Sequence, residues 1–230
     1  MQPSPLPTAE LALLRLLQLT SPALPVGAFA YSQGLEWAVN AGWVTDEESA
    51  GAWIGGLLEH AIAHLEVPLL ARLHAAWCAG DGEAVVFWNA WLGAARESAE
   101  LLAEDRHMGT ALARLLTDLG LEEARPWVTS GEGAFATLFA LAAWRWEIPL
   151  RSAAIGLVWA WAENQVAAAT KLVPLGQTAA QRLLSGLQPL IPAAVDRGLT
   201  LEEPDIGQGA PALAAGCALH ETQYSRLFRS

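Results

Sequence analysis

The sequence predicts an all-α fold, and three observations predict it. Leucine- and alanine-rich segments place their apolar residues at three- and four-residue spacing, Gly and Pro punctuate those segments, and no stretch alternates apolar with polar residues over a useful strand length. No repeat of fixed period is present, which excludes a solenoid. At 230 residues the chain suffices for one large helical core. The expectation is a single domain over residues 1–230, a bundle of about ten helices.

In chain order, Thr8 caps a helix through Leu11, Leu13, Leu14, Leu16, Leu17 and Leu19, apolar most of the way round and so expected to be buried. The segment Ser21 to Trp37, SPALPVGAFAYSQGLEW, then combines two prolines, two glycines and three aromatics. Ser32 to Asn40 reads as a short helix stopped at Gly42, and Thr45 with Glu48 reads as a capping box opening the helix of Trp53, Leu57, Leu58, Ile62 and Leu65. Pro68 is expected to kink or divide it before Leu69 to Cys78. Two helices follow between Glu83 and Leu119, with Gly93 and Gly109 as weak points and Gly120 as stop. Ser130 is expected to start a helix whose charge-free run, Ala134 to Trp144, sits at the centre of the fold. Proline and glycine then separate Ser152 to Leu172, Thr178 to Asp196 and, after the loop Gly198 to Pro211, a last helix over Ala212 to Thr222.

Composition narrows the function. A net charge of −11, from 13 basic and 24 acidic residues, argues against nucleic acid, because phosphate binding needs a basic patch. The balance of 53% hydrophobic to 16% charged residues is apolar for a lone soluble chain, which implies that a partner covers some surface. Cys78 and Cys217 form neither a disulfide framework nor a Cys-x-x-Cys motif. No basic segment precedes the first leucines, and no uncharged run reaches the roughly 20 residues that a membrane span needs. The reading is cytoplasmic, without a membrane anchor.

Motifs for catalysis are missing. The chain has no Gly-x-Ser-x-Gly elbow, no supported Cys-His pair and no P-loop, and it lacks the paired Glu-x-x-His motifs of helical oxygenases. It reads as no enzyme, with no cofactor. His60 and His64, four residues apart, have a spacing that can chelate a transition metal, but no third ligand lies close in sequence. They define a rival reading, a transition-metal metallochaperone, to which His220 could contribute; otherwise His107 and His220 read as structural. Of the eleven tryptophans, most fall on helical stripes and one or two are expected in an interface.

Three polar features remain. Asn164 and Lys171 lie two turns apart on one side of an otherwise apolar helix, a pattern open to a functional role or to simple helix-dipole pairing. The C-terminal tail, residues 221–230, ends QYSRLFRS and places Tyr224, Leu227 and Phe228 beside Arg226 and Arg229. Packing back on the core and ordering against a partner are equally open to it.

SPALPVGAFAYSQGLEWA near the start, KLVPLGQTAAQ over residues 171–181 and ETQYSRLFRS at the end together resemble the UreF family of urease accessory proteins. The resemblance spans nearly the whole chain and is weakest from Ala99 to Trp127. It implies an all-α, usually dimeric protein that assists nickel insertion into apo-urease. Such a protein bridges UreD (also called UreH) and the UreG GTPase and regulates GTP hydrolysis. The resemblance ties Glu36 and Lys171 to that regulation, and Phe29 and Arg226 to recruitment of the GTPase. Phe29 stands where the family commonly has Tyr, so the ring remains without its hydroxyl. Tyr31, Tyr224 and Phe228 complete the expected partner-binding set. A stiff loop presenting Phe29, Tyr31 and Glu36 would dock at little entropic cost.

Overall fold

The computed structural model describes residues 8–207 and 209–230. Among the described residues the chain forms twelve α-helices and no strand. They are α1 (Thr8–Leu19), α2 (Leu35–Asn40), α3 (Glu47–Leu57), α4 (Glu66–Ala79), α5 (Gly82–Ala94), α6 (Ala99–Asp118), α7 (Arg125–Ser130), α8 (Phe135–Arg145), α9 (Leu150–Leu172), α10 (Gln177–Leu187), α11 (Leu190–Leu199) and α12 (Pro211–His220). No single helix among them is long and apolar enough to cross a bilayer.

The charge-free helix α8 lies at the centre as the sequence predicts, between α4 and α6, with every residue from Ala136 to Ala143 buried. A helix apolar on all sides can only be covered on all sides. Its N-terminus has no capping side chain of its own and borrows two. Asn89 of α5 accepts from the Ala134 amide at 2.9 Å, and Asp105 of α6 accepts from the Phe135 amide at 2.7 Å.

The other organising element is α9, 23 residues long, which carries α1, α2, α10 and α11 on its flanks. Its second half joins α2, α3 and α10 in a separate apolar cluster built on Leu35, Ile54, Val166 and Leu184, and Phe228 from the far end of the chain completes it. A third, smaller cluster sets Cys217 and Leu213 of α12 against Leu57 and Leu101.

Several expected boundaries move, each for a local reason. The capping box at the start of α3 is Asp46 with Ser49, not Thr45 with Glu48: the Asp46 carboxylate accepts from the Ser49 amide at 2.8 Å and the Ser49 hydroxyl accepts from the Asp46 amide at 3.1 Å. Pro68 does not divide a helix. The break falls earlier, in a π-helical turn at Leu58–Ile62, and Pro68 occupies the first turn of α4, where a missing N–H costs nothing. Ser130 ends α7 instead of starting α8, because Gly131 takes the left-handed conformation that closes a helix. Residues 178–196 form two helices, parted at Gln188 and Pro189. Helix α7 and this split account for the two helices beyond ten. Helix α1 is a surface helix, against expectation, with Leu11, Leu13, Leu14 and Leu17 all exposed and Leu16 turned toward Gly156 of α9.

Candidate functional site

The stiff loop and the end of the chain meet. Gly27 adopts φ 79°, and the single helical turn Ala28–Ala30 beyond it holds Phe29 outward, 71% exposed. The chain then turns inward. Tyr31 is buried, and its hydroxyl shares a 3.2 Å hydrogen bond with Nδ1 of His107. Left-handed backbone at Gln33 (φ 51°) and Gly34 (φ 76°) delays helix α2 until Leu35; a Cβ on Gly34 would lie 3.3 Å from the Cys217 amide nitrogen. These two residues explain why the helix does not start at Ser32.

Glu36, in the first turn of α2, is buried, and a carboxylate removed from water needs several donors. It finds them in the tail. One oxygen accepts the Leu227 amide at 2.7 Å, and the other accepts the Phe228 amide at 2.8 Å and lies 3.2 Å from Nε2 of His220. The opposite ring nitrogen of His220, Nδ1, is 2.7 Å from Glu100 of α6, and Glu100 in turn pairs with Arg226. Glu36, His220, Glu100 and Arg226 thus form one chain of contacts clasping residues 226–228.

A second carboxylate of α6 holds the end of that segment. Glu104 accepts from the Ser230 hydroxyl and from the Gln33 amide, each at 2.7 Å, while Gln33 accepts from Trp161 of α9. Burial pushes the Glu104 carboxyl up to about 7; the bonds from Ser230 and Gln33 and the charge of Arg96 offset only part of the rise. Arg96 sits beside it between Asp105 and Glu66. Burial works against its charge, yet Asp105 and Glu66 outweigh that effect and hold the guanidinium ionised. These groups floor a cavity of about 320 Å³ under the stiff loop, walled by Leu19, Val26, Phe29 and Met108.

Asn164 and Lys171 both face this junction. The Asn164 amide donates to the Tyr31 carbonyl at 3.3 Å, and the Lys171 ammonium lies 5.2 Å from the centre of the Phe228 ring, a cation–π contact. Tyr224 and Leu227 point away from the protein, both exposed, while Phe228 is buried. Of the partner-binding set read from sequence, Phe29, Tyr224, Arg226 and Lys171 are therefore at the surface. Tyr31, Glu36 and Phe228 are inside, so any effect they have on a partner is indirect, through the shape of the loop or the tail.

Sequence reading missed Glu100 and Glu104, and read His220 as structural or metal-binding without its link to the tail. The signal was present as two glutamates four residues apart on α6 and a histidine ending the helix before the tail, but nothing local says that a buried segment lies between them. His60 sits inside the π-helical turn and His64 just beyond it; both line one pocket with Arg197, and burial, followed by the charge of Arg197, lowers the basicity of His64. Among the described residues no three His, Cys, Asp or Glu side chains are grouped to hold a metal ion.

Known proteins of one family are similar to this chain over most of its length. The model of the UreF family matches residues 44–188, more than half the chain. A protein named urease accessory protein UreF from Alkalilimnicola ehrlichii is 56% identical over 220 residues, covering 96% of each chain. Its namesake from Hahella chejuensis is 50% identical over 220 residues, covering 96% of this chain and 99% of the other. Urease accessory protein UreF 2 from Brucella anthropi is 48% identical over 226 residues, covering 98% of this chain and 100% of the other.

Proposed function

The chain belongs to the UreF family, and from that membership we propose that it is a urease accessory protein: a non-catalytic assembly factor that assists nickel insertion into apo-urease. In this reading it bridges UreD (UreH) and the UreG GTPase, bears on GTP hydrolysis, and works as a homodimer in the cytoplasm. The observation that carries the reading is the clasped tail. Residues 226–228 are held by Glu36 and Glu100 while the Tyr224 and Leu227 side chains are left outside, an exposure that gains nothing within the chain and suits an apolar docking surface. Exposed apolar side chains on α1 (Leu11, Leu13, Leu14, Leu17) and α5 (Val86, Phe87) offer further area for partner chains.

Chemistry then belongs to the partners: this chain has no P-loop to hydrolyse GTP and, among its described residues, no cluster to retain nickel. The test uses the exposed side chains, since deleting the tail would also remove Phe228 from the core. A Tyr224→Ser, Leu227→Ser double variant should keep its helical signal and melting temperature and fail to co-purify with UreD and the GTPase. Full assembly by that variant would refute the docking role of the tail.

A further inference from the structure

His220 ends α12 with no exposed area, and two glutamates from different helices converge on its ring. Glu36 is buried and Glu100 partly so, and two carboxyl groups drawn to one ring are set close together with reduced access to water. The imidazole between them gives each a polar contact, 3.2 Å to Glu36 and 2.7 Å to Glu100. Each glutamate also has a second partner, and both partners lie in the tail: Glu36 holds the amides of Leu227 and Phe228, and Glu100 holds Arg226. Three consecutive tail residues are thus ordered by groups that meet only at His220. Beyond it, Phe228 enters a core cluster and residues 229 and 230 are bonded to the stiff loop, while Tyr224 and Leu227 are exposed, so Glu36 and Glu100 are what hold residues 226 and 227.

We propose that His220 is a positioning residue for assembly: through Glu36 and Glu100 it holds residues 226–228 in the conformation that a partner protein recognises. Resting on the reading that this segment docks a partner, it adds which residue governs the segment's shape. His220 touches no partner and binds no metal in this role.

The test compares His220→Leu, which keeps the volume and loses both polar contacts, with His220→Gln, which retains a donor. Glu100→Gln, at a partly exposed position, serves as a variant whose folding is not at risk. Amide hydrogen exchange is followed on full-length protein at residues 221–230 and, as an internal reference, in α8; co-purification with UreD and the GTPase is measured on the same samples. The expected result is that His220→Leu and Glu100→Gln speed exchange at Leu227 and Phe228 by at least about tenfold, with α8 unchanged and the complex lost. His220→Gln should fall between them and the parent. If a histidine of this size merely fills space, His220→Leu leaves tail exchange unchanged, and that result overturns the proposal. A loosened tail with the complex intact defeats the docking role of the segment, and the proposal with it.

Discussion

Ser32 and Ser230 are joined twice across 198 positions: the amide and the hydroxyl of Ser32 both donate to the main-chain oxygen of Ser230, at 2.8 and 2.6 Å. The Arg229 amide donates to the Ala30 carbonyl at 2.8 Å beside them. The stiff loop and the tail are consequently one structural unit, and a change in either is felt in the other.

Glu36 is the strongest link in that unit. Glu36→Ala leaves two amides and a histidine without their acceptor in a buried site, a loss of about 3 kcal/mol or more. In a chain of this length that corresponds to a fall in melting temperature of roughly 10 °C. Partner binding should fall with it, since the same bonds place Leu227. Lost stability with intact binding would separate the tail from recognition.

Stability should depend on pH through Glu104. Its carboxyl titrates at about 7 in the folded protein against an ordinary 4.5, so between those values the folded state keeps a proton that the unfolded chain releases. The contribution is complete below the unfolded value and is lost as pH rises through the folded one. It amounts to on the order of 3 kcal/mol between about pH 5 and pH 8. Glu104→Gln keeps the shape and removes the titration. Unfolding by denaturant across that range should show a flatter profile for the variant and a more stable variant at the alkaline end. Parallel profiles would assign the pH dependence to other groups.

Gly93 and Gly109 look alike in sequence, each interrupting a helical pattern, and the structure gives them opposite meanings. A Cβ at Gly109 would lie 1.9 Å from the Gly133 carbonyl oxygen, because α6 crosses the segment of backbone leading into α8 there. Gly109→Ala should therefore cost about 3 kcal/mol or more. At Gly93 the nearest atom is a Leu102 methyl at 3.6 Å, an ordinary contact, and Gly93→Ala should gain roughly 0.5–1 kcal/mol from helix propensity. Thermal unfolding of the two variants checks both signs.

The same contrast marks what was legible in the sequence. Helix class, the central place of Ala134 to Trp144 and the stop at Gly120 follow from local pattern, because a charge-free run or a left-handed glycine has few alternatives. The split at Pro189 and the shift of the α3 cap were close competitions between neighbouring residues that pattern cannot rank. Glu36, Lys171 and Arg226 emerge through a resemblance, which names positions without saying which way they face. Their roles depend on residues 36, 100, 220 and 226 meeting, and no local signal encodes a contact across such separations. The stretch from Ala99 to Trp127, where the resemblance is weakest, supplies Glu100, Glu104 and Asp105 to the site.

Phe29 and Tyr31 make the last comparison, two aromatics two residues apart with opposite surroundings. Phe29 exposes 71% of its surface and Tyr31 only 4%. Phe29→Ala removes little packing and should leave stability within about 0.5 kcal/mol, as for most surface substitutions. Tyr31→Ala empties a buried site and breaks the bond to His107, a loss of about 3–5 kcal/mol. If the loop recruits the GTPase through its outward ring, Phe29→Ala weakens co-purification of the GTPase at unchanged melting temperature, and Phe29→Tyr preserves it, because the exposed ring has no hydrogen bond to gain or lose within the chain. Should Phe29→Ala bind as the parent does while Tyr31→Phe does not, recognition would depend on the buried hydroxyl and the shape it imposes on the loop.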